Sequence, residues 1–184
     1  MTQFPNFKIN NWKLITIFMI YLGADHRGYE LKEKLKLWFE ESGVQYEDCG
    51  AFAYDKDDDY PDFAKAVGDK VAQDNSNPTL KDEYGANPHT GETSVGARGI
   101  LICGSGIGMA IAANKVKGVM AGTALKPEQI ASAEGDEGLN VLSLSSDFAS
   151  EEDNKAIIKS FLESKFSGAE RHVRRVNKIK ELEN

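Results

Sequence analysis

The residues best placed to do chemistry are Cys103 and the glycine-rich turn after it, Gly104-Ser105-Gly106-Ile107-Gly108. Glycines let a backbone approach a ligand closely, and this turn reads into a helix whose first N–H groups lack partners. Such groups hold an anion and favour the thiolate form of a neighbouring cysteine. A thiolate beside an anion hole supplies what proton abstraction α to a carbonyl requires: a base, and donors for the developing enediolate oxygen. A buried structural cysteine beside a ligand-binding turn fits the same spacing. The glycines run G-x-G-x-G, which is not the dinucleotide fingerprint, and no Gly-Lys-Ser/Thr follows to make a phosphate loop.

A second reactive pair is Asp25-His26, at the end of an apolar run. A third group, Arg171, His172, Arg174 and Arg175, is densely basic in an otherwise acidic chain. Arg171 and Arg175 are four apart and share a helix face. Their planar forks suit a phosphate, although a solvated helix face beside Glu170 and Glu181 has the same composition.

These groups need a scaffold, and the chain alternates strand and helix. Apolar, β-branched runs at Ile15–Gly23, Val44–Cys49, Gly99–Cys103, Val119–Ala124 and Asn140–Leu144 read as buried strands. Between them, Leu31, Leu35, Trp38 and Phe39 recur at helical spacing, as do Phe63, Val67 and Val71. Met109–Lys115, Pro127–Ala133, the segment of Ile157, Ile158, Phe161 and Leu162, and a last segment of Val173, Val176 and Ile179 complete the helices. The pattern predicts an α/β fold: an open parallel sheet of about five strands with helices on both faces. In such sheets ligands bind outside the carboxyl ends of the strands, where Asp25-His26 and the Cys103 turn both fall.

Residues 1–18 read as an N-terminal extension, and 19–184 as a single domain. Residues 74–98, rich in Asn, Gly, Pro, Ser and Thr, break the rhythm and read as a disordered or surface loop insertion. It leads into the third strand from a helix, so it should emerge away from the site, and His89 within it is expected at the surface. A net charge of −7 over 184 residues argues against a nucleic-acid surface. The longest apolar stretch, Leu14 to Leu22, is far short of the ~20 residues of a membrane helix. Only two cysteines are present, Cys49 and Cys103, so no disulfide framework is expected. The cytoplasm is the expected location.

Five separate segments carry a resemblance. They are Gly-Ala-Asp25-His26-Arg-Gly-Tyr, Asp59-Tyr60-Pro61, GILICGSGIGMAIAANKVKGVMA at 99–121, Asn140-Val141-Leu142, and Arg171-His172-x-x-Arg175. Together they resemble the family of type B ribose-5-phosphate isomerases and galactose-6-phosphate isomerase subunits. The resemblance implies a Rossmann-like fold, dimers or tetramers with sites shared between subunits, and no metal, nucleotide or other cofactor. It implies that Cys103 moves the proton between C1 and C2, while Ser105 and the amides of Gly104, Gly106, Ile107 and Gly108 hold the enediolate. Asp25, His26 and Tyr60 are implied as substrate contacts, and Arg171 and Arg175 as phosphate ligands from the partner chain.

Two departures stand out. Where the family has a ring-opening His followed by Asn, this chain has Asp136 and Glu137. Asp136 then inherits the catalytic role and Glu137 the substrate contact. Where the family places a phosphate-binding Arg, this chain has Asp147, which would repel a dianion if it pointed inward. The expected activity is interconversion of ribose 5-phosphate and ribulose 5-phosphate. The alternatives are isomerisation of another sugar phosphate, such as a hexose 6-phosphate, and sugar-phosphate binding without catalysis.

Overall fold

The structure, a computed structural model, describes residues 19–76 and 96–183. Five strands form one sheet: β1 (Ile20–Ala24), β2 (Tyr46–Asp48), β3 (Arg98–Cys103), β4 (Ala121–Thr123) and β5 (Val141–Ser145). Their order is β2-β1-β3-β5-β4, and every pairing is parallel. Six helices occur among the described residues: α1 (Tyr29–Ser42), α2 (Tyr60–Ser76), α3 (Ile107–Ala113) and α4 (Pro127–Glu137), which alternate with the strands, and α5 (Glu151–Glu163) and α6 (Glu170–Glu181), which follow β5. The extension at 1–18 lies outside the described residues, as does most of the 74–98 stretch with His89. At the margins of that stretch α2 carries on through Ser76 and Arg98 already opens β3.

The central strands are buried on both faces, and their side chains alternate between two cores. Ile20, Leu22, Ile100, Ile102, Leu142 and Leu144 face the core that contains Leu35 and Phe39 of α1, Ile130 of α4, and Ile157 and Phe161 of α5. Tyr21, Leu101, Cys103 and Val141 face Val67 and Val71 of α2 and Met109 and Ala113 of α3. Each fully buried Leu or Ile stabilises the fold by roughly 1.5–3 kcal/mol. Cys103 thus belongs to the α2–α3 side.

β1 leads sideways to β2, whereas β3 leads across β5 to β4. The chain therefore diverges between β1 and β3, and a crevice opens at their carboxyl ends. Asp25-His26 leaves β1 there and the glycine turn leaves β3. The two loops are locked together, since the amide of Asp25 donates to the carbonyl of Ile102 at 3.2 Å.

The expected strand Val119–Ala124 is shorter in the structure. The amide of Val119 closes a turn onto Val116, and that of Met120 donates to the side-chain oxygen of Asn140 at 2.8 Å. Ladder pairing to β5 begins only at Ala121. The helix expected at Met109–Lys115 starts two residues earlier and ends at Ala113. Pro127 opens α4 at its first turn, and Gly138 ends it in the left-handed conformation.

Candidate active site

Cys103 is the last residue of β3 and is 5% exposed. The next residues turn sharply, and Gly106 adopts φ +76°, a conformation strained for any residue with a Cβ. The turn brings the Gly106 N–H back onto the Cys103 sulfur at 3.2 Å. The Ile107 N–H reaches Ser105 Oγ at 3.3 Å. Two serines of the neighbouring strand hold the turn from below. Ser143 Oγ donates to the Gly106 carbonyl at 2.5 Å, and Ser145 Oγ to that of Gly104 at 2.7 Å. Both serines are fully buried, so the carbonyls are satisfied internally.

Asp25 is 5% exposed, and its Oδ1 accepts the N–H groups of Arg27 and Gly28 at 3.0 and 2.9 Å. Burial pushes its carboxyl above the ordinary value, opposed by those amide donors and by His26. His26 Nδ1 lies 2.7 Å from Asp58 Oδ1, and this bond, with the charges of Asp58 and Asp25, raises the imidazole pKa. The Tyr60 ring packs over the turn, because a Cβ at Gly108 would sit 3.1 Å from it. Ile107 is exposed beside it.

Asp147, the acid where a cation was expected, pairs directly with Arg27. This pair covers Gly104, where a Cβ would meet both side chains within 2.9 Å. The charge of Asp147 is therefore compensated from within the same chain. Sequence separation hid the contact, since the two residues lie 120 positions apart.

The structure does not bring Asp136, Glu137, Arg171 and Arg175 to this turn within one chain. Asp136 and Glu137 end α4 just before β5, so they lie at the amino edge of the sheet. With about 3.3 Å per residue, the length of β5 separates the two edges by roughly 15 Å. Asp136 and Arg171 instead meet around His172, which is 4% exposed. Arg171 Nε donates to His172 Nε2 at 2.7 Å. His172 Nδ1 is 2.8 Å from Ser167 Oγ and 3.5 Å from Asp136 Oδ1. Because Nε2 accepts from Arg171, Nδ1 carries the ring proton. His172 thus stands as a joint between Arg171, from which it accepts a hydrogen bond, and the neighbouring carboxylate of Asp136.

Asp58, Ser143, Ser145 and Arg27 were not anticipated as parts of the site. Asp58 lies in the run Asp57-Asp58-Asp59, which has the composition of a solvated loop. The serines alternate with Leu142 and Leu144 along one strand, and that alternation was the available signal. Among the described residues, no group of three or more His, Cys, Asp or Glu side chains is placed to hold a metal ion. No helix among them is long and apolar enough to cross a membrane.

The profile of the Ribose/Galactose Isomerase family matches residues 20–85 and 89–179. The chain belongs to that family. Ribose-5-phosphate isomerase B of Mycobacterium tuberculosis strain H37Rv is 33% identical over 164 residues, covering 89% of each chain. The crystal structure of ribose-5-phosphate isomerase B from Mycoplasma genitalium with bound ribulose-5-phosphate is similar with a TM-score of 0.76 and 36% identity, over 90% of this chain and 96% of that one. The ribose-5-phosphate isomerase B from Clostridium thermocellum is similar with a TM-score of 0.74 and 30% identity, over 90% and 97%. The Ribose/Galactose Isomerase fold is the open parallel α/β sheet that the strand pattern predicts.

Proposed function

We propose that the chain is an aldose–ketose isomerase that interconverts ribose 5-phosphate and ribulose 5-phosphate. The observation that carries this reading is the likeness to a ribose-5-phosphate isomerase B with ribulose-5-phosphate bound, at 36% identity over nearly both chains. The local chemistry agrees with it. Cys103, as thiolate, takes the proton from C2 of the open-chain aldose, and the electron pair moves onto the carbonyl oxygen at C1. The resulting enediolate is held by Ser105 and the amides of Gly104, Gly106, Ile107 and Gly108. Cys103 returns the proton to C1 while the hydroxyl proton at C2 passes to the oxygen at C1, leaving a ketone at C2 and a hydroxyl at C1. Each well-placed donor on the enediolate oxygen contributes ~10²–10³ in rate.

Asp25, His26 and Tyr60 contact the sugar from the crevice. Asp136 opens the ring by proton transfer at the ring oxygen, with Glu137 beside it, and Arg171 and Arg175 hold the phosphate. These four stand at the amino edge, so they act on the Cys103 turn of a second copy, and the working enzyme is a homodimer or a larger assembly built from it. The position of Asp136 and Arg171 on one joint at His172 supports their delivery as a unit. The enzyme works in the cytoplasm on a free sugar phosphate.

A second reading, sugar-phosphate binding without turnover, draws on Asp136 and Glu137 in place of a His-Asn pair. Turnover of ribose 5-phosphate by the purified chain, compared with Cys103→Ser, separates the two. Turnover that is lost in the variant supports the isomerase, and binding of the sugar without turnover supports the second reading.

A further inference from the structure

The segment joining β2 to α2 carries a carboxylate that the isomerase chemistry leaves unused. The Asp58 side chain is 6% exposed, and its Oδ1 lies 2.7 Å from His26 Nδ1. Its second oxygen, Oδ2, is buried with no hydrogen-bond partner among the described residues. The His26 side chain is 27% exposed and rests edge-on against the Tyr54 ring, with centroids 6.4 Å apart. The carboxylate of the pair is therefore covered, while part of the imidazole stays accessible.

An ionised carboxylate only accepts hydrogen bonds, so the short contact places a proton on Nδ1 and leaves Nε2 as the nitrogen available to a ligand. A buried carboxylate with a single donor is costly unless that donor carries charge. The other charges facing His26 are Asp25, which also favours the cation, and Arg27, which opposes it. Arg27 is itself paired with Asp147, and nearby Lys32 is paired with Asp48 at 2.6 Å. The donor left to face this crevice is thus His26.

We propose that Asp58 is a positioning residue that holds His26 as an imidazolium, with its Nε2–H presented to the anionic substrate of the glycine turn. The nature of the substrate rests on the isomerase reading; the protonation and tautomer of His26 do not. Asp58 touches no reacting atom and acts through His26. It presents a charged N–H donor to the crevice.

The test is an NMR titration of the imidazoles of the full chain, beside Asp58→Asn and Asp58→Glu. His26 is expected to titrate above the ordinary histidine range in the wild type, to fall back in Asp58→Asn and to recover in Asp58→Glu. With ribose 5-phosphate near pH 7.5, Asp58→Asn is expected to raise KM roughly tenfold, the scale of one charge-assisted hydrogen bond, and to leave kcat within about twofold. Glu at position 58 is expected to restore much of the KM. A His26 titration that is the same in wild type and Asp58→Asn overturns the proposal whatever the activity. So does a loss confined to kcat. A wild type that turns over no ribose 5-phosphate removes the isomerase reading alone, because the titration still decides the role of Asp58.

Discussion

Gly28 offers a sharp test of how the crevice is built. It has φ −86°, which any residue adopts, so its constraint is one of space and not of conformation. A Cβ there would lie 2.7 Å from the Ile102 carbonyl carbon and 2.8 Å from Ile102 Cγ2, and closer still to the carbonyl oxygen. The obstruction is mostly backbone of the central strand, so it cannot rotate away. Overpacking of this kind costs roughly 1–3 kcal/mol. Separating the loops also weakens the bond from the Gly28 amide to Asp25, worth about 1.5–3 kcal/mol for a charged acceptor. Gly28→Ala should therefore destabilise the fold by about 3–5 kcal/mol, lowering Tm by roughly 10 °C in a domain of this size. Cys103 follows Ile102 directly, and a displacement of about 1 Å at the base costs on the order of 10² in kcat/KM. Gly135→Ala is the control, since that helical glycine has nothing within 4 Å of its Cβ position. It should stabilise by about 0.5–1 kcal/mol and leave kcat/KM alone. Thermal unfolding and isomerase assays on both variants decide the matter. A Gly28→Ala protein with Tm within about 1 °C of wild type and unchanged kcat/KM would refute the packing argument.

Lys32 is 0% exposed and binds both oxygens of Asp48 at 2.6 and 2.7 Å, while Lys36 and the Gly50 amide also hold that carboxylate, so Lys32→Met should leave Asp48 paired and cost about 1–3 kcal/mol by urea unfolding. Burial pushes the Glu134 carboxyl up from 4.5 to about 7, against the pull of Arg98. A carboxyl raised on folding contributes stability that is whole below its unfolded value and is lost as pH rises through the folded one. Unfolding free energy should therefore show a downward component between about pH 4.5 and 7, and Glu134→Gln should flatten it. A slope that survives the substitution assigns the effect to other groups.

The layered fold was legible because buried parallel strands write continuous apolar runs, as in Gly99–Cys103, and helices write theirs at 3.6. The edges were less so. β4 loses Val119 and Met120 to a turn and to the side chain of Asn140, a partner 20 residues away that no local pattern announces. At the carboxyl edge, the placement of Cys103 and of Asp25-His26 was legible because each follows an apolar strand run, while Ser105 and Tyr60 entered only through the family resemblance. The Arg27–Asp147 pair was not, and sequence alone presented Asp147 as an uncompensated charge. Nor was the Asp58 contact, because burial distinguishes it from its acidic neighbours and burial is set by the tertiary fold. His172 was visible only as part of a basic cluster, and its role as the joint between Asp136 and Arg171 required the packing of α6 against α4.

The most direct measurement follows ribose 5-phosphate and ribulose 5-phosphate in both directions with the purified chain and with Cys103→Ser. The account predicts turnover by the wild type and a loss of roughly 10²–10⁴ in kcat/KM on removing the base, with the fold and sugar-phosphate binding retained. Turnover that survives Cys103→Ser within about threefold would contradict Cys103 as the group that moves the proton.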